Sequence, residues 1–147
     1  MVAYCLLYVQ GMIVTGAFLA EAAAVEDNKL NVRGGVLASC QVGPDRIARV
    51  TVVVLTQPEA DDKAPKLKIE ILKPSGDSHS SLSGDIPEAT LGGENGFALF
   101  PCEIHAETYG RYVLVVTSGG SSVSLPLRVH PGGLHSTGDS PPRHNRR

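Results

Sequence analysis

At 147 residues with 42% hydrophobic side chains, the chain is long enough for one ordinary domain and its core, but not for two enzyme-sized units. Aromatic residues are only 5% and Trp is absent, while Val, Gly, Ser and Pro are frequent, a mixture that favours short β-branched strands between turns over long helices. The formal charge of -2, with basic residues clustered only at the C-terminus, excludes the basic stripe of a nucleic-acid binder. The expected class is all-β.

Residues 2–20 carry no charge, and Glu21-Ala22-Ala23-Ala24 follows them in the manner of a signal-peptidase site. That reading implies a secreted chain. Against it, no positive residue precedes the apolar run, and Gln10, Gly11, Thr15 and Gly16 break it too often for a membrane span of about 20 apolar residues. The run reads better as two strands, Tyr4–Val9 and Met12–Leu19, turned at Gln10-Gly11. The same pattern returns later, Tyr112-x-Leu114 against Tyr4-x-Leu6 and Gly120-x-x-Val123 against Gly11-x-x-Val14, at offsets of 108 and 109 residues. A period near one hundred residues is that of a tandem sandwich array. Residues 1–20 are therefore expected to be the last hairpin of a preceding repeat, with a leader as the alternative, and 21–28 a linker.

From Lys29 onward short strands follow one another. Lys29–Arg33 and Val36–Gln41 flank Gly34-Gly35 as a broken first strand, and Ala48–Leu55 is a β-branched second one with Ala48, Val50, Val52 and Val54 inward. Thr56–Pro65 is a charged loop. Lys66–Lys73 alternates, with Leu67, Ile69 and Ile71 on one face and Lys68 and Glu70 on the other, and Pro74-Ser75-Gly76 stops it. Asp77–Asp85 is rich in Ser and Gly and reads as mobile, while Ile86–Leu91 holds a short edge strand. A further strand carries Ala98, Phe100, Cys102 and Ile104 on one face, with a bulge expected at Pro101. The last two are Arg111–Thr117, with Tyr112, Leu114 and Val116 inward, and a strand running to Val129 after Ser118-Gly119-Gly120. About seven strands at this spacing indicate an antiparallel sandwich over 29–131, and the Gly/Pro/Ser-rich residues 132–147 a disordered tail.

These residues resemble a filamin-type immunoglobulin-like repeat. Lys29-Leu30-Asn31-Val32-x-Gly34-Gly35-Val36-Leu37 is similar to the family's opening, Leu67-x-Ile69-x-Ile71-x-x-Pro74-Ser75-Gly76 to its third strand, and Gly110-x-Tyr112-x-Leu114-x-Val116 to its close. The chain departs from the pattern in lacking the usual Phe in its second strand, and in carrying Leu125-Pro126-Leu127 where the family closes with Gly-Ser-Pro-Phe. The resemblance implies a non-catalytic scaffolding module of a cytoplasmic, cytoskeleton-associated protein, with neighbouring repeats and extended partner peptides. Such peptides would add as an extra strand in the groove between the third and fourth strands. The matching positions are Lys68, Glu70 and Leu72, with Ile86 and Leu91 over the apolar side. The same edge also reads as blunted by Lys68, Glu70 and Pro87. No actin-binding segment is visible, so direct binding to actin filaments is not expected. The alternative function is a secreted or cell-surface adhesion domain.

Nothing in the pattern calls for catalysis, a metal or a cofactor. The five histidines, His79, His105, His130, His135 and His144, form no His-x-His or His-x-x-x-His pair and read as solvated. Ser78-His79-Ser80 offers adjacent residues in a loop, not a nucleophile held against its base. Glu59, Asp61 and Asp62 lack the periodicity of a calcium loop, and Gly92-Gly93 and Gly119-Gly120 are turns rather than phosphate loops. Cys5, Cys40 and Cys102 are expected to be free thiols.

Overall fold

The computed structural model describes residues 13–57, 66–85, 96–118 and 121–132. The strands are β1 (Ile13–Ala20), β2 (Ala22–Glu26), β3 (Lys29–Arg33), β4 (Ser39–Val42), β5 (Ile47–Gln57), β6 (Lys66–Leu72), β7 (Ser78–Asp85), β8 (Gly96–His105), β9 (Gly110–Ser118) and β10 (Ser121–Pro131). They form an immunoglobulin-like sandwich of a three-stranded sheet, β1-β5-β8, and a five-stranded sheet, β4-β10-β9-β6-β7, with β2-β3 as a separate ribbon. Every strand pair is antiparallel except β4 with β10.

Period-two alternation places the core between the sheets. Val50, Val52 and Val54 of β5 face Leu67, Ile69 and Ile71 of β6 and Tyr112, Leu114 and Val116 of β9 within one buried cluster. The inward residues of the third and sixth expected strands are thus where alternation put them. Tyr112 is the largest fully buried side chain, and its hydroxyl donates to the Thr108 carbonyl at 2.8 Å. That bond ties the β8–β9 corner to the core. Gly110 enters the corner at φ 141, where an added Cβ would meet Pro74 Cγ at 3.1 Å. The facing turn is made by Arg46, in the left-handed region at φ 57, whose guanidinium donates to the carbonyls of Ala106 and Glu107 and lies over the Tyr109 ring.

Four expectations are corrected. Residues 13–20 are not a separate remnant: β1 pairs with β5 from Ile13↔Gln57 to Ala20↔Thr51 and buries Val14 and Leu19 in the common core. Alternating apolar residues suit any sandwich strand, so similarity to the closing strand did not reveal which place the segment takes. Its expected hairpin partner, Tyr4–Val9, lies outside the described residues. Next, part of the expected linker is β2, joined to β3 through Asp27-Asn28, both left-handed at φ 49 and 59, as a tight two-residue hairpin demands. The expected first strand therefore divides, β3 staying in the ribbon and β4 crossing to β10.

Third, the Ser/Gly-rich Asp77–Asp85 is not a mobile loop. Ser78–Asp85 is β7, paired with the whole of β6. The turn between them has Gly76 N donating to Lys73 O and Lys73 N to Asp77 O, with Pro74 preset for its second position and Gly76 at φ 92. Fourth, no bulge occurs at Pro101: the β5–β8 register runs without a break through Thr51↔Pro101. Because β8 is a sheet edge, its proline leaves the ladder intact. Pro126 obeys the same rule, since β4 begins to pair with β10 only at Arg128.

Thr56 is 1% exposed and its Oγ1 has no hydrogen-bond partner among the described residues. Replacing that hydroxyl by a methyl removes a desolvation cost at nearly constant volume. Thr56→Val is therefore expected to raise the unfolding free energy by about 1 kcal/mol, read as a higher urea midpoint at unchanged slope.

Candidate partner-binding edge

The groove expected at a free edge of β6 is not there. Lys68 lies between Ser83 of β7 and Thr117 of β9, Glu70 between Ser81 and Val115, and Leu72 between Ser78 and Val113. Both sides of β6 are paired, so these residues belong to an interior strand. Lys68 is exposed on the outer sheet face, whereas Glu70 and Leu72 are half-buried. Ile86 and Leu91 lie outside the described residues. The free edge of this sheet is one strand further out, on β7.

The four edge strands differ in how they are protected. β8 carries Pro101, β1 has a register shift between Val14 and Gly16, and β4 is four residues long. Proline, bulges and shortness each discourage a further strand. β7 runs for eight residues as Ser-His-Ser-Ser-Leu-Ser-Gly-Asp, with no proline and no lysine, and its one register shift lies at its start, where Ile71 pairs with Ser80 and Leu72 with Ser78. From Ser80 to Asp85 it pairs regularly, and that stretch is the least protected of these four edges.

The two flanks of the sandwich also differ. On the β1 flank the chain crosses between sheets: Leu37 N donates to Leu19 O at 2.7 Å, and Arg128 N to Ala38 O at 3.0 Å. On the opposite flank β7 and β8 face each other across an apolar cleft of about 200 Å³, lined by Leu67, Ile69, Leu82, Ser83, Phe100 and Pro101. Leu82 is 43% exposed at its mouth. At one end the flank is pinned by His79, whose Nε2 meets the His105 carbonyl at 3.0 Å and whose Nδ1 meets Ser80 Oγ at 3.1 Å. The same ring stands edge-on to Tyr112, with centroids 6.3 Å apart. His79 is therefore a half-buried link between the two sheets, not a solvated loop residue.

Sequence reading missed Leu82, Phe100 and Pro101 as neighbours of one cleft, and His79 as a link between the sheets. The available signal was Leu82, alone in a polar run just after a hairpin turn. The two described thiols are unpaired, and neither is activated. Burial pushes Cys102 up to about 11, and burial followed by the nearby Glu21 carboxylate raises Cys40. Both are thus protonated at neutral pH and poor nucleophiles.

No protein-family model matches the chain, and no curated protein matches it. Among solved structures the chain is similar to the CARDB domain of the PF1109 protein from Pyrococcus furiosus, solved in complex with di-metal ions, at 10% identity and a TM-score of 0.45, over 84% of this chain and 96% of that one.

Proposed function

We propose that this chain is a non-catalytic interaction module that takes an extended partner segment as an added strand on β7. The observation carrying the reading is the coincidence of the least protected edge with the apolar cleft beside it. Backbone groups along β7 would hold the incoming strand, and alternate side chains would point into the cleft. A volume near 200 Å³ accepts one large apolar side chain, so a Phe, Leu or Met is the anchor. The resemblance to filamin repeats supports a scaffold in which such modules space and recruit partners in the cytoplasm.

A random-peptide display library selected on the full chain tests this. Recovered peptides are expected to be extended, with a bulky apolar residue at one position, and to lose at least about tenfold in affinity for Leu82→Lys, which sets an ammonium at the cleft mouth. Because Leu82 is partly exposed, the fold is expected to survive the change. Peptides that bind the variant as tightly as the parent would reject the β7 site.

A further inference from the structure

One end of the five-stranded sheet carries, on its outer face, an arrangement that strand pairing normally avoids. Arg111 of β9 and Arg128 of β10 are direct cross-strand partners. Both are exposed, while their chain neighbours Tyr112, Leu127 and Val129 are buried, so both side chains project from the outer face. Like charges directly opposite each other on an antiparallel pair are destabilising. Arg49, by contrast, is compensated by Asp45 at 3.1 Å and Glu103 at 3.4 Å. Among the described residues neither Arg111 nor Arg128 has such a partner.

The neighbours on the same face carry no negative charge. Ser39 of β4 pairs with Arg128, and Gln41 with His130, two residues further along β10. Ser39 and Gln41 are exposed, and each can donate a hydrogen bond. Glu21 faces Ser39, Gln41 and His130 across a cavity on the β1 flank, but neither Arg111 nor Arg128 lines that cavity. The next row in the other direction is apolar, with Pro126 of β10, Val113 of β9 and Leu72 of β6 side by side. It stands about 7 Å from the arginine row, two residues along an extended strand.

We infer that Arg111 and Arg128 form a recognition site for a phosphorylated side chain on an extended partner peptide. Opposite residues of an antiparallel pair have Cβ atoms about 4.5–5.5 Å apart, so two guanidinium groups can converge on one small anion. A carboxylate brings one charge and is filled by a single bidentate arginine, which leaves the second cation unmatched. A phosphate monoester brings a charge of about −1.5 to −2 at pH 7 and three acceptor oxygens, enough for both. The apolar row favours a peptide over free phosphate: with the peptide running along the strands, the residue two positions from the phosphorylated one stands over Pro126, Val113 and Leu72. β6 separates this surface from β7, so occupation of the β7 edge leaves it open.

Peptide pools with a fixed central phosphoserine, phosphothreonine or phosphotyrosine and random flanks, passed over the immobilised full chain, test this. Phosphorylated pools are expected to be retained and their unphosphorylated counterparts not, with apolar residues enriched two positions from the phosphorylated one. Peptides recovered in this way should lose at least about tenfold in affinity for Arg111→Gln and for Arg128→Gln, and nothing for Leu82→Lys. Arg111→Glu is expected to abolish retention while raising the urea midpoint, because it turns a like-charge pair into an opposite-charge one; loss of binding is thereby separated from loss of fold. Equal retention of phosphorylated and unphosphorylated pools, or glutamine variants that bind like the parent, would overturn the inference. A lowered midpoint in Arg111→Glu would do the same, by showing the pair to be already compensated. Inorganic phosphate or phosphatidylserine vesicles that bind as tightly as the peptides would assign the pair to a free anion or a lipid surface instead, and loss of binding in Leu82→Lys would move the peptide to the β7 edge.

Discussion

A chain beginning at Val25 is expected not to fold cooperatively. Its loss removes β1, and with it the whole antiparallel ladder along one side of β5. Val14 and Leu19 leave the core, and Leu37 loses the carbonyl of Leu19 that fastens the crossing segment. Burial of one Val and one Leu contributes about 3–6 kcal/mol, and the ladder bonds about 0.5–1.5 kcal/mol each. Together these reach the 5–15 kcal/mol or so that a whole domain retains. The vacated edge of β5 is also a run of Val residues, ready to pair with another chain. Urea titration followed by circular dichroism checks this: the truncated chain should give no cooperative transition and should aggregate. A sharp transition at the midpoint of the full chain would show that β1 is dispensable. The experiment bears on the alternative reading of the N-terminus too, because cleavage after Ala24 would yield this species.

Replacing Tyr112 is expected to produce the largest single-residue effect. Its ring is 1% exposed, it stands between the two sheets, and His79 packs against its edge. Tyr112→Ala leaves a cavity where neighbours on several strands converge, and should lower stability by about 3–5 kcal/mol. Tyr112→Phe keeps the ring and removes only the bond to the Thr108 carbonyl, so about 1–2 kcal/mol is expected. Denaturant midpoints of the two variants separate the contributions. Equal losses would mean that the hydroxyl governs the corner and the ring little; no loss in Tyr112→Phe would mean that the corner bond is idle.

Alternation by itself determined the inward residues of β5, β6 and β9, because side chains on a pleated strand change face at every residue whatever the strand pairs with. It also determined the buried place of Tyr112, while Pro74-Ser75-Gly76, with few other conformations, marked where β6 stops but not that a strand returns from it. What alternation does not contain is a partner. The pairing of β1 with β5 and the crossing of β4 to β10 are choices between distant segments, and the addition of Ser-rich β7 to β6 is a choice between hairpin and loop, each decided by which edges remain open once the core has closed. β7 shows this most clearly: its Ser and Gly residues have little strand preference of their own, and it is held by the edge of β6 and the turn before it. The candidate site moved for that reason. Lys68, Glu70 and Leu72 were rightly placed on a strand, but whether that strand was free depended on their partners Ser83, Ser81 and Ser78 in the Ser-rich run that follows. Only the assembled sandwich brings Leu82 of β7 and Phe100 of β8 to one cleft, because burial of the two inner faces fixes how the edges of the sheets stand opposite each other.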